Sequence, residues 1–136
     1  MYKKKVEVRE SPIEGRGVFA KEDIPNGELV WIFEKDHDLI MTEQEFRILP
    51  EQKKKEIEKI GYLSPWTSRW IFPPEHDAAR YTNHSKKNNL TAIFNQKISA
   101  EPYFVANKNI RKGEELTNNY YEFDLLIQTT KPDWSI

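Results

Sequence analysis

Two stretches near opposite ends of this chain share one frame, Ala-x3-Ile-x2-Gly-Glu. The first runs from Ala20 through Ile24 and Gly27 to Glu28, the second from Ala106 through Ile110 and Gly113 to Glu114. Each begins at an apolar strand end, Val18-Phe19-Ala20 in one case and Tyr103 to Ala106 in the other. A plug of one isoleucine follows, then a glycine turn into a further strand. Leu29 to Phe33 and Glu115 to Asn118 are the strands expected after the two turns. Two copies are too few for a solenoid. Either two β-turns resemble each other by coincidence, or the fold uses the same strand-turn-strand unit twice.

The remaining pattern fills in around these units. Val6-Glu7-Val8-Arg9 alternates and predicts a half-buried strand, broken by Ser11-Pro12 and the Gly15/Gly17 pair. Thr42-Glu43-Gln44-Glu45 is a capping box, and predicts a short helix through Leu49. Pro50 opens a second helix to about Ile60, which Gly61 ends. Lys53-Lys54-Lys55 in that helix reads as a solvated face paired with Glu51, Glu56 and Glu58. After Pro73-Pro74 a short helical turn leads into Tyr81, and Leu90 to Phe94 predicts a strand.

Length fits one domain, residues 1–136, with a helical insert at about 37–75 and a C-terminal tail at about 125–136. Lys+Arg 21 against Asp+Glu 22 gives no basic field, so nucleic acid is not expected as a direct partner. No cysteine is present, which excludes disulfides, cysteine-zinc sites and thiol catalysis. The basic start Met1 to Lys5 is not followed by an apolar run, so it does not read as a secretory signal. The longest apolar run, Leu29 to Phe33, cannot span a bilayer. A cytoplasmic protein with no membrane association is expected, and export as an effector is compatible with it.

The candidate chemistry lies in three segments. They are Gly15-Arg16-Gly17-Val18-Phe19-Ala20, Arg80-Tyr81-Thr82-Asn83-His84-Ser85 with Asn89 beyond it, and Gly113-Glu114-Glu115-Leu116-Thr117-Asn118-Asn119-Tyr120. In this order they resemble the signature segments of the SET domain, over roughly residues 6–34 and 78–124. The resemblance implies an α+β, mostly β, SET-type (β-clip) fold of small curved sheets with a short helical insert, and two strand-turn-strand units are part of it. It implies methyl transfer from S-adenosyl-L-methionine to the ε-amine of a lysine in a protein or peptide substrate. The absence of cysteine makes the chain look like the minimal viral and bacterial members. The other reading is a non-catalytic cofactor- or peptide-binding module of the same fold.

The residue roles follow from the same resemblance. Tyr120 would be catalytic and would also contact the cofactor. Gly15, Arg16 and Gly17 would cradle its methionine end, and Asn83-His84 would bind it by their turn. That turn is expected to cross the Tyr120 segment in a knot-like arrangement. Tyr81, Asn118 and Trp134 are candidates for the substrate channel, which the tail or a second subunit of a homodimer would have to close. Many members carry Asp at the position of Asn119 and Phe or Tyr at that of Asn118, whose size is linked to the number of methyls added.

Chemistry sets one requirement on such a channel. With a lysine pKa near 10.4, roughly one amine in a thousand is neutral at neutral pH. Desolvation between aromatic walls is a way to supply the missing ~4 kcal/mol. Turnover should therefore rise with pH. No metal is required. His37, between Asp36 and Asp38, matches no ligand spacing and reads as part of a solvated loop. No nucleophile elbow surrounds Ser68, Ser85 or Ser99, and no nucleotide-loop fingerprint is present.

Overall fold

The computed structural model describes residues 1–130. Its strands are β1 (Val6–Glu10), β2 (Arg16–Ala20), β3 (Leu29–Trp31), β4 (Leu39–Met41), β5 (Tyr62–Leu63), β6 (Trp70–Phe72), β7 (Asn83–His84), β8 (Leu90–Ile93), β9 (Tyr103–Ala106) and β10 (Glu115–Asn118). Three helices, α1 (Glu43–Arg47), α2 (Glu51–Ile60) and α3 (Leu125–Thr130), and two 3-10 turns complete the described residues. The strands form three small sheets in the orders β1-β2-β10-β7, β3-β9-β8 and β4-β6-β5. This is the mostly-β α+β architecture expected.

The two copies of the repeated frame meet at the centre. Ile24 and Ile110 form an antiparallel bridge, each donating its N–H to the other's carbonyl at 2.7 and 2.8 Å. Gly27 N–H donates to Ala106 O, and Gly113 N–H to Ala20 O. Ala106 N–H donates to Glu28 O, and Ala20 N–H to Glu114 O. Side chains follow the same exchange: Asn109 accepts from Asn26 N–H, and Asp23 accepts from Lys112 N–H. The repeat is therefore a pseudo-two-fold hub. Both isoleucines are 1% exposed, and both glycines take positive φ, 89° and 95°. At those angles a Cβ would be strained, which is why glycine stands at each turn.

The symmetry extends outward. Each hub segment carries a hairpin, β1-β2 or β8-β9, and each later strand pairs antiparallel with the other copy's hairpin, β10 on β2 and β3 on β9. One core fills the space between, with Val18, Val30, Leu90, Phe104 and Leu116 among its buried members.

The segment 37–75 holds the expected helices and adds strands to them. Both helices form, and the Thr42–Glu45 capping box is present in full. Before and after them in the chain run the strands of the β4-β6-β5 sheet, which the sequence did not announce. Its strands have two or three residues each, too short to show a period. Gly61 follows α2, but with φ −125° it is no left-handed cap. A Cβ there would run into Ile71 O, so this glycine lets the helix end lie directly on β6. Ile57, Leu63 and Trp70 make a second, smaller core, with Phe46 stacked on Trp70 at 4.4 Å.

Candidate active site

The cofactor-loop and turn segments converge on β10. β7 pairs with β10 in parallel, Asn83 opposite Thr117 and His84 opposite Asn118, and Ser85 N–H donates to Asn118 O. Asn83 and His84 are thereby held beside the strand that delivers Tyr120. The Asn83 amide lies 2.9 Å from Glu115 Oε2 and 3.0 Å from Arg16 O, within reach also of Ser11 Oγ and Glu14 O. It ties the Gly15-Arg16-Gly17 loop to both motif segments.

Two details alter the expected roles. Asn83 is anchored to protein acceptors, so its side chain builds the turn. At Gly17 an added Cβ would strike the Glu115 carboxylate, so this glycine makes room for Glu115, which also accepts from Ser11 Oγ at 2.8 Å. Gly15 differs: φ is 45° and nothing lies within 4 Å of a would-be Cβ. Its surroundings are open, as a ligand-facing loop requires. Arg16 is exposed.

Tyr120 begins a 3-10 turn whose N-cap is Asn119, with Asn119 Oδ1 accepting from Tyr121 N–H at 3.0 Å. An aspartate would do the same work, so Asn119 preserves the local structure. Tyr120 N–H donates to His84 Nδ1 at 3.0 Å, and the two rings lie 5.1 Å apart. That bond fixes the imidazole tautomer. Burial, with a smaller push from Lys86, lowers the His84 pKa and keeps the ring neutral. The Tyr120 hydroxyl donates to Thr82 O at 2.7 Å. Burial pushes this phenol above its ordinary range, so it stays protonated.

Behind Tyr120 lies a cavity of about 60 Å³. Tyr2, Trp31, Tyr62, Phe104, Tyr120 and Phe123 make its aromatic wall. Phe123 stands edge-on to Tyr62, Phe104 and Tyr120, at 5.3, 4.9 and 5.9 Å. A nucleoside does not fit in this volume; an aliphatic chain end with a small polar head does. Tyr2 adds a second phenol, whose oxygen is 2.6 Å from Thr82 Oγ1, so Thr82 joins both tyrosines.

Of the two described channel candidates, Asn118 lines the cavity and Tyr81 does not. Tyr81 is 40% exposed, at the end of a 3-10 turn in which successive side chains point about a third of a circle apart. Arg80 and Thr82 face the cavity and Tyr81 between them faces out. Trp134 lies outside the described residues. The solvated loop expected at 36–38 also needs correction. Asp36 is exposed, but His37 Nε2 lies 2.5 Å from Asp77 Oδ2 and Asp38 is only 5% exposed, lining the cavity. Tyr2 and Tyr62 stand in no motif, Thr82 stands in one without a role of its own, and Asp38 read as part of a solvated loop, because each reaches the cavity from a different part of the chain.

The groups around Tyr120 fit the zwitterionic end of S-adenosylmethionine. Gly15 opens the adjoining loop, with nothing within 4 Å of a would-be Cβ, and the Asn83 amide ties that loop to the segment that delivers Tyr120.

A search of curated proteins finds no match to this chain. The SET domain family profile matches residues 15–121, and the chain belongs to that family. Among solved structures it is similar to a Plasmodium falciparum protein described as a putative histone methyltransferase, with TM-score 0.58, 20% identity, and 87% of this chain and 94% of that one covered. At that identity the likeness speaks for the fold. It is also similar to Chaetomium thermophilum Polycomb Repressive Complex 2 bound to an inhibitor, with TM-score 0.62 and 30% identity over 92% of this chain. An apo form of that complex carrying two mutations in Ezh2 gives TM-score 0.65 at 28% identity. The matched part is 17% and 16% of those two chains. Among the described residues no helix is long and apolar enough to cross a membrane.

Proposed function

We propose that this chain transfers a methyl group from S-adenosyl-L-methionine to the ε-amine of a lysine in a protein substrate, with Tyr120 at the reacting centre. The observation that carries this reading is the position of Tyr120. It stands between an aromatic cavity sized for a chain end and the paired β7–β10 turn to which the Gly15–Gly17 loop is tied.

When bound, the cofactor supplies an already activated methyl. The protein's part is to orient and to exclude water. The backbone of Gly15 to Gly17 and of Asn83-His84 would hold the methionine end, helped by Lys86 and Glu14. The Tyr120 proton is given to Thr82 O, so toward anything else nearby this phenol is an acceptor, suited to a positive centre. The aromatic box favours the lysine cation on entry and, by excluding water, favours its neutral form afterwards. Asn118 occupies the position linked to methyl number, and a small polar side chain there leaves space beside the amine. Closure of the channel by Trp134, in its own subunit or in a partner's, belongs to the same proposal.

The test is incubation with labelled S-adenosylmethionine and either a core-histone mixture or a cell lysate, followed by mass mapping of modified lysines. Methylated lysine is expected. Tyr120→Phe should lower single-turnover rate by about 100-fold or more, with cofactor affinity by calorimetry changed less than about 3-fold. Cofactor binding without methylation of any protein would leave a binding module instead.

A further inference from the structure

Among the described residues, three buried polar side-chain atoms at the cavity have no hydrogen-bond partner within the protein. They are Trp31 Nε1, Asn118 Oδ1 and Asp38 Oδ1. Native interiors leave few such atoms, and each one calls for a ligand or water. Asp38 stands apart from the other two, because a carboxylate left with one oxygen unserved is the costliest of the three. Its side chain is 1% exposed.

The other oxygen is occupied. Asp38 Oδ2 accepts from Glu34 N–H at 2.8 Å and lies 3.7 Å from the Met1 ammonium. His37 and Asp77 complete the neighbourhood, the three side chains converging to within 4.8 Å. From the other elements packed around the cavity, Tyr62, Tyr2, Tyr120, Lys59 and Arg80 face it. Burial raises the Asp38 pKa, the neighbouring Asp77 adds to this, and the Glu34 N–H, the Met1 ammonium and His37 oppose it.

We propose that Asp38 is the proton acceptor for the substrate lysine: on entry of the ammonium into the cavity, the proton passes to Asp38 Oδ1. The proposal rests on the methyl-transfer reading above and specifies the step that reading leaves open, the fate of the lysine proton. The Nζ–H bond breaks, its electron pair stays on nitrogen as the nucleophilic lone pair, and an O–H bond forms on Asp38, directly or through a cavity water. The pair thus goes from two charges to none. In water the transfer is uphill by about 6 pK units. In an apolar cavity desolvation moves acid and amine toward each other, by up to 3–5 units each when burial is complete. A closed aromatic box therefore makes the neutral pair accessible where bulk water does not.

The test combines a pH profile with a readout independent of turnover. Asp38→Asn retains an oxygen for the Glu34 N–H, so the fold should survive, which thermal melting checks. Single-turnover methylation of the core-histone mixture should fall about 100-fold at pH 7. The deficit should shrink to about 3-fold by pH 9.5, where solvent deprotonates the amine, and Asp38→Glu should recover part of the loss. Separately, the carboxyl carbon of Asp38 is followed by NMR in wild-type protein with S-adenosylhomocysteine, while n-butylamine, the bare lysine chain end, is titrated in at pH 7. The signal should move to that of the protonated acid. A deficit in Asp38→Asn that is constant across pH would overturn the proposal, as would an Asp38 signal that stays that of a carboxylate. If the amine protonates Asp38 but no protein is methylated, the methyl-transfer reading fails and the proton site stands.

Discussion

The two halves of the hub are alike in backbone and unlike in what covers them. After the first copy, β3 runs out with its free edge bridged by the start of the chain, Tyr2 opposite Trp31, with Lys3 N–H donating to Val30 O. After the second copy, β10 runs out with its free edge taken in parallel by β7. The first edge-cover brings an aromatic side chain that lines the cavity. The second brings Asn83 and His84, and β10 goes on into Asn119 and Tyr120. One strand-turn-strand unit thus contributes cavity wall, and the other leads into Tyr120, the proposed reacting centre. The difference lies in the segment docked on the edge and the residues beyond the turn, and hardly at all in the turns themselves.

If the hub is symmetric in energy as well as in hydrogen bonding, Ile24→Ala and Ile110→Ala should cost the same, about 2–5 kcal/mol each. Denaturant unfolding giving values more than about 1 kcal/mol apart would break the equivalence.

The next effect belongs to the second half alone, whose chain continues into α3. Asp124 Oδ1 accepts from Leu63 N–H at 3.2 Å and Leu126 N–H at 3.1 Å, pinning that helix to β5. Burial pushes the Asp124 carboxyl up to about 6. A pKa raised in the folded state stabilises below the unfolded value, near 4, and that stabilisation is lost as pH rises through 6. Melting curves should show this loss, about 2–3 kcal/mol, between pH 4 and 6. Asp124→Asn should flatten that stretch of the profile, and an unchanged slope would move the titration elsewhere.

Asn83→Ala probes the edge-cover of the second half. It should cost about 1–3 kcal/mol by leaving Glu115 short of a donor. A double-mutant cycle with Glu115→Ala should show coupling, and strict additivity would mean the contact is idle. The smallest effects are expected at the turns. Gly27→Ala and Gly113→Ala meet no atom within 4 Å, so each should cost only the strain of positive φ, about 1–2 kcal/mol. Equal shifts in melting temperature would extend the equivalence to the turns.

The sequence by itself determined a good deal. Alternation, capping and turn chemistry are local, so β1, β2, β8, β9, β10, α1 and α2 were legible within a residue or two. The repeated frame was legible too, because an isoleucine and a glycine at fixed offsets are demanded by a buried bridge and a positive-φ turn. Family membership was carried by Asn83-His84 and by Gly113 to Tyr120, short motifs whose spacing the β7–β10 pairing constrains. Only the tertiary structure decided that the two frames bond to each other, since no pattern within a strand states its partner. The same holds for Gly17 and Gly61, whose missing side chains make room for Glu115 and for β6. It holds most for the cavity, where Tyr2, Asp38, Tyr62 and Asn118 are brought together. Burial and its effect on charge are properties of the assembled interior, and no single stretch of chain contains them.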